Sequence, residues 1–132
     1  MAITTTYAYD SLGRLTSKSE GGVGGGGNTT TYTYDGVNNL TSLKDALNNT
    51  TTWSYDALDR VTIETNALSK SRSIVYDAMD NVTRKTDRNG RVTQYDYDQL
   101  NRLTAEKWMS GTTHTPSLVV ATTQEGGSVD EV

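Results

Sequence analysis

Tyr55-Asp56-Ala57-Leu58-Asp59-Arg60-Val61-Thr62 decides how the chain is read, because the same pattern stands at four other places. The pair Tyr-Asp occurs as Tyr9-Asp10, Tyr34-Asp35, Tyr55-Asp56, Tyr76-Asp77 and Tyr97-Asp98, at intervals of 25, 21, 21 and 21 residues. Self-similarity at a fixed period marks a repeat architecture and is settled before any local reading. Each pair is followed by an apolar residue at Leu12, Val37, Leu58, Met79 or Leu100. A turn former comes next, as Gly13, Asn38, Asp59, Asp80 or Asn101, and then Arg14, Asn39, Arg60, Asn81 or Arg102. Leu15-Thr16, Leu40-Thr41, Val61-Thr62, Val82-Thr83 and Leu103-Thr104 close the unit.

Upstream of each signature Tyr, at the spacing that puts side chains on one face of a strand, stands Tyr7, Tyr32, Trp53, Ile74 or Tyr95. The unit therefore reads as a β-hairpin. One strand, Thr51 to Tyr55, turns through Asp56-Ala57-Leu58-Asp59 into a return strand from Arg60 to Thr65 that points Val61 and Ile63 to one face. A second turn falls at Asp45-Ala46-Leu47-Asn48, Asn66-Ala67-Leu68-Ser69 and Asp87-Arg88-Asn89-Gly90, rich in residues that accept a left-handed backbone or bond their own main chain. The longer first interval comes from a glycine-rich insertion at residues 20–28, read as a flexible loop. It has no following Lys-Ser/Thr to make it a phosphate loop.

Composition agrees with strands and turns. Of the 132 residues only 33% are hydrophobic, Phe is absent, and eight Tyr and two Trp supply most of the large rings. Each unit has about five apolar side chains to bury, too few to offset the entropy of ordering it alone. Stacking against neighbouring units is the expected remedy. The expected fold is thus all-β: tandem hairpins forming a twisted or spiralling antiparallel sheet, a piece of a solenoid. Residues 1–109 make the array of five units; residues 110–132 form an extension with one strand at Leu118-Val119-Val120-Ala121 and an acidic tail.

The formal charge of −4 and the lack of a Lys/Arg run argue against nucleic acid as a partner. No apolar run is long enough for a transmembrane helix, so membrane insertion is not expected. Cysteine is absent, which removes disulfides and thiolate metal sites. The signature acids could be read as metal ligands, with Asp96-Tyr97-Asp98 the nearest to a paired carboxylate, but calcium needs more oxygens than this provides. They read better as turn caps, with Arg14, Arg60 and Arg102 placed to pair with the Asp of their own or an adjacent unit. His114, with Ser110, Ser117 and Asp130, lacks a nucleophile elbow and reads as an incidental set. No catalytic residue, cofactor or metal is expected. Tyr32, Trp53 and Tyr95 are candidates for stacking sugar rings, which keeps a carbohydrate-binding or adhesion module as an alternative.

These motifs resemble those of the bacterial Rhs family, also called YD-repeat proteins, with Tyr55 to Thr62 and Tyr97-Asp98-Gln99-Leu100-Asn101-Arg102-Leu103-Thr104 close to its repeat. The resemblance runs from about Thr4 to Met109. It implies a sheet strip that spirals into a hollow β-shell, as in polymorphic toxins, C components of insecticidal toxin complexes, wall-associated proteins and teneurins. A secreted or cell-surface location and an enclosed effector domain follow from the same resemblance. Five units are few for a closed shell, and the tail has neither an evident toxin domain nor an Asp-Pro-rich boundary motif. The chain is therefore expected to act as a segment of something larger. Its partners are expected to be flanking repeats, other copies of itself through edge strands, an enclosed effector, or surface glycans. Self-assembly into oligomers or filaments is a further alternative.

Overall fold

The computed structural model describes residues 3–21 and 27–109. Most of the glycine-rich insertion, and the whole of 110–132 with His114 and the expected strand at Leu118 to Ala121, lie outside the described residues.

Ten strands follow one another: β1 (Thr4–Tyr9), β2 (Leu15–Gly21), β3 (Asn28–Tyr34), β4 (Leu40–Lys44), β5 (Thr50–Tyr55), β6 (Val61–Thr65), β7 (Ser71–Tyr76), β8 (Val82–Thr86), β9 (Val92–Tyr97) and β10 (Leu103–Met109). Their order in the sheet is their order in the chain. No helix occurs among the described residues. Each signature Tyr ends an odd-numbered strand and each closing Leu or Val begins an even-numbered one. Arg60 belongs to the turn, so the return strand starts one residue later than the sequence pattern placed it. The strands fall into two compact units, divided inside β7 between Ile74 and Val75.

Pairing within the hairpins corrects one expectation. In β5 and β6, Tyr55 lies opposite Val61 but Ser54 lies opposite Ile63, because Thr62 is an extra residue on the return strand. This β-bulge cancels the alternation over one step, so Val61 shares the face of Trp53 and Tyr55 while Ile63 points to the other side and is 42% exposed. The same register shift occurs where Tyr9 meets Leu15, Tyr34 meets Leu40 and Tyr97 meets Leu103. No shift occurs where one hairpin meets the next, from β2 to β3, β4 to β5, β6 to β7 and β8 to β9.

One face of each unit therefore carries the signature rings and the closing Leu or Val. On the opposite face of the first unit hydroxyls meet in pairs, Ser19 against Thr29 at 3.0 Å, Thr33 against Ser42 at 2.7 Å and Thr65 against Ser71 at 2.8 Å. In the second unit that face carries Arg84 opposite Gln94 and the Asp96–Lys107 pair. No described residue is fully buried. Half-burial of rings between neighbouring strands takes the place of a core, which is why Tyr, with an apolar ring and a polar tip, suits the signature position. The repeated apolar turn residues behave differently: Leu12, Val37 and Leu58 in the first unit, and Met79 and Leu100 in the second, are 63–71% exposed at the turn tips.

Candidate functional site

The signature Asp is the hub of a five-residue turn. Asp56 N–H donates to the Arg60 carbonyl at 3.0 Å, and the Asp59 N–H donates back to the Asp56 carbonyl at 3.1 Å. Its Oδ1 accepts from the N–H groups of Leu58 and Arg60, satisfying donors that the turn would otherwise leave without protein partners. Oδ2 accepts from the Arg60 guanidinium at 2.8 Å. The fourth residue of each turn holds a positive φ, from 58° at Ser69 to 79° at Gly90, which explains why Gly, Asn, Asp or Ser stands there. The arrangement is a three-residue hairpin loop closed by a left-handed residue.

The second set of turns shares this geometry. Asp45, Asn66 and Asp87 use the same carbonyl and Oδ1 bonds, with positive φ at Asn48, Ser69 and Gly90. What distinguishes the Tyr-Asp side is the threonine after the closing Leu or Val. It is the bulged residue, and the hydroxyls of Thr16, Thr62, Thr83 and Thr104 donate to the carbonyls of Ala8, Ser54, Val75 and Asp96 at 3.1–3.3 Å. A side-chain bond thus supports the strand pair where the ladder is interrupted.

Contacts between repeats use the two remaining consensus positions. The signature ring reaches back across the sheet: the Tyr34 hydroxyl donates to the Leu15 carbonyl at 3.0 Å, Tyr55 to Leu40 at 2.8 Å, and Tyr97 to Val82 at 2.9 Å. Tyr9, on the first described strand, is 61% exposed, whereas Tyr34, Tyr55 and Tyr97 are half-buried. The Arg or Asn position reaches forward. Arg14 Nη1 donates to the Asp35 carbonyl at 2.9 Å and to Asn38 Oδ1 at 3.0 Å, with its guanidinium 4.9 Å from the centre of the Tyr34 ring. Asn39 and Asn81 bond the signature Asp of their own turn, and also Asp59 Oδ1 at 2.8 Å and Asn101 Oδ1 at 3.0 Å. The expected pairing of Arg14, Arg60 and Arg102 with the signature Asp of their own or an adjacent unit is met within the unit, on Asp10, Asp56 and Asp98. The forward contacts of Arg14, Asn39 and Asn81 fall on the left-handed residue of the next turn and, for Arg14, also on a backbone carbonyl.

Electrostatics follows from these bonds. The backbone N–H of Arg14 and then its side chain hold Asp10 below the ordinary carboxylate value. Arg60 does the same for Asp56, chiefly through its guanidinium, and the Arg102 backbone N–H does so for Asp98. Burial raises the phenol of Tyr55. All of these groups are committed to turn or ladder bonds, and among the described residues no cluster of three His, Cys, Asp or Glu is placed to hold a metal ion.

The sugar-stacking candidates lie in the second row of the ring face, whose cross-strand partners vary. Tyr32 is opposite Leu43, Trp53 opposite Glu64, and Tyr95 opposite Glu106. Trp53 Nε1 donates to Glu64 Oε2 at 3.2 Å, and that carboxylate also meets Arg72. The Lys85 ammonium stands 5.5 Å from the centre of the Tyr95 ring. Asp96, on the other face, is paired with Lys107 at 2.5 Å rather than with Asp98.

Comparison with known proteins matches the RHS Repeat family over residues 34–70 and 76–107, more than half of the chain. No curated protein matches it. Among solved structures, the TcdB2-TccC3-Cdc42 crystal structure is similar at 20% identity and a TM-score of 0.63, over 76% of this chain and 6% of that one. A Photorhabdus luminescens Tc holotoxin pore with a TccC3 mutation is similar at 22% identity and a TM-score of 0.63, over 81% and 6%. The chain spans about one-sixteenth of the length of these structures. At these identities the likeness shows the sheet fold.

Proposed function

The chain belongs to the RHS repeat family, and we propose from that premise that it is a non-enzymatic wall segment of a larger secreted or surface-delivered bacterial Rhs protein, helping to enclose or display a toxin or effector domain. One observation carries this reading: the chemistry-bearing consensus residues are spent on holding hairpins to one another. The Tyr hydroxyl reaches the preceding repeat, the Arg or Asn reaches the following one, and the Asp and Thr secure the turn and bulge between them. The Tyr clasp recurs at three junctions, so such a strip can lengthen by repeating it. Its two faces differ, one carrying the half-buried signature rings and the other mainly polar groups.

The test is limited proteolysis of the full-length protein that carries these repeats, against its C-terminal domain expressed alone. Enclosure predicts that the domain is cut markedly more slowly in the intact protein, and that cleavage inside the repeats abolishes this protection. Equal rates would overturn enclosure. Turnover of general hydrolase substrates that co-purifies with the folded chain and is lost in His114→Ala would overturn the non-enzymatic reading.

A further inference from the structure

The turn between β8 and β9 keeps the bonding scheme of the other turns but carries a residue pair that none of them holds. Its third and fourth residues are Asn89-Gly90, the only Asn-Gly pair in the chain. Where this turn has Asn89, the other second-set turns have Leu47 and Leu68. Asn89 is exposed at the tip. Gly90 holds φ 79°, and even a Cβ there would meet no atom within 4 Å, so the space beside its backbone nitrogen is open. Asn48 and Asn101, the other asparagines of the described turns that lie near a strand end, are followed by Asn49 and Arg102, whose side chains crowd the next nitrogen.

We propose that Asn89-Gly90 is a site of slow self-modification, at which this turn converts to an isoaspartyl linkage, and that the bonds of Asp87 hold the conversion back while the turn is closed. The Gly90 nitrogen attacks the carbonyl carbon of the Asn89 side chain, and the new N–C bond closes a succinimide ring. The side-chain amide nitrogen leaves as ammonia, taking the proton from the Gly90 nitrogen. Water then opens the ring at either carbonyl. Cleavage at the side-chain carbonyl gives Asp, and cleavage at the main-chain carbonyl gives isoaspartate, with the chain rerouted through the side-chain carbon. No oxidant, reductant or co-reactant other than water is consumed.

The closed turn opposes the first step. Gly90 N–H donates to the Asp87 carbonyl at 3.0 Å, which keeps the proton on the attacking nitrogen. The N–H groups of Asn89 and Arg91 donate to Asp87 Oδ1 at 2.8 and 2.9 Å and fix the backbone on both sides of the reacting pair. Attack therefore runs through turns that have opened. The product then resists closing again, because isoaspartate lengthens the main chain of a loop whose two closing bonds, Gly90 N–H to Asp87 and Asp87 N–H to the Arg91 carbonyl at 2.9 Å, suit one length. This turn lies between two hairpins rather than inside one. Next to it Thr86 pairs with Val92 and Lys85 with Thr93, while the Tyr97 clasp on Val82 closes the far end of the same strand pair. Conversion thus loosens one junction between repeats from the Thr86–Val92 end.

The experiment incubates the chain at mildly alkaline pH and follows each asparagine by peptide mapping with mass spectrometry, with isoaspartate detected by isoaspartyl methyltransferase labelling. Asn89 should convert ahead of Asn48 and Asn101. Asp87→Ala removes the cap and should speed conversion about fivefold. Asp87→Asn keeps an Oδ1, as Asn66 does in the preceding turn of this set, and should change the rate less than about twofold. Asn89→Leu should abolish conversion and leave the strand signal by circular dichroism. Unfolding the chain in urea should also speed conversion, which tests the protection without any substitution. Isoaspartyl chains separated by ion exchange should exchange backbone hydrogens around Thr86 and Val92 faster than unconverted chains. Conversion at Asn89 no faster than at Asn48, equal rates in folded and unfolded chains, equal rates in the chain and a folded Asp87→Ala variant, or unchanged exchange after conversion would each overturn the proposal.

Discussion

The hydroxyl of Tyr55 donates to the carbonyl of Leu40 at 2.8 Å, across the boundary between two hairpins. Tyr34 on Leu15 and Tyr97 on Val82 repeat the relation. The signature ring is thus a clasp on the preceding repeat rather than a feature of its own hairpin. Tyr55→Phe keeps the ring and removes the clasp, and should lower stability by about 1 kcal/mol in urea unfolding followed by circular dichroism. Tyr9→Phe, at the 61% exposed signature ring of the first described strand, should leave the midpoint unchanged. Equal losses from the two would show that the hydroxyl acts elsewhere.

Asp56 makes two kinds of bond, and substitutions separate them. Asp56→Asn retains an Oδ1 for the N–H groups of Leu58 and Arg60, as Asn66 does for Leu68 and Lys70. Asp56→Ala loses both kinds, and should cost about 1–2 kcal/mol, the usual loss when a side chain capping backbone donors is removed. The Asn variant should cost less than half of this, since only the partly exposed pair with Arg60 is lost. Denaturant midpoints of the two variants check the order.

The left-handed residue of a turn is read by the turn before it. Asn101 has φ 59° and accepts from Asn81 at 3.0 Å. Asn101→Gly keeps the backbone and removes the contact, whereas Asn101→Val removes both and adds strain of about 1–2 kcal/mol. The Val variant should therefore be the less stable of the two by at least that strain, measured by thermal unfolding.

Acid should loosen the turns together. Asp10, through the Arg14 backbone N–H and side chain, Asp56, through the Arg60 guanidinium, and Asp98, through the Arg102 backbone N–H, all sit below their ordinary value of 3.8. A carboxyl whose folded value is depressed adds stability that is complete above its unfolded value and is lost as pH falls through the folded one. The urea midpoint should be flat between about pH 5 and pH 8 and fall below about pH 4. A midpoint that changes between pH 5 and pH 8 would locate the controlling group elsewhere.

Much of this was legible in the chain. The spacing of the Tyr-Asp pairs gave the strand count on that side, and the turn formers marked every residue of positive φ. The face of Ile63 was not legible, because a bulge at Thr62 reverses a period-two pattern that otherwise looks regular. Nor could the near-identity of the two turn sets be read, since Asn66-Ala67-Leu68-Ser69-Lys70 and Tyr-Asp turns share backbone bonds more than residue types.

The sequence by itself determined a hairpin array, its turns and its repeat length, because those follow from local backbone preferences and short-range side-chain bonds that are the same in every unit. Only the tertiary structure decided which residues join one repeat to the next. The Tyr clasp spans 15 residues between Tyr55 and Leu40, or between Tyr97 and Val82, and the Asn39 contact with Asp59 spans 20. Contacts of that length depend on the lateral pairing of strands, which sets two distant side chains beside each other, and no local pattern carries that information.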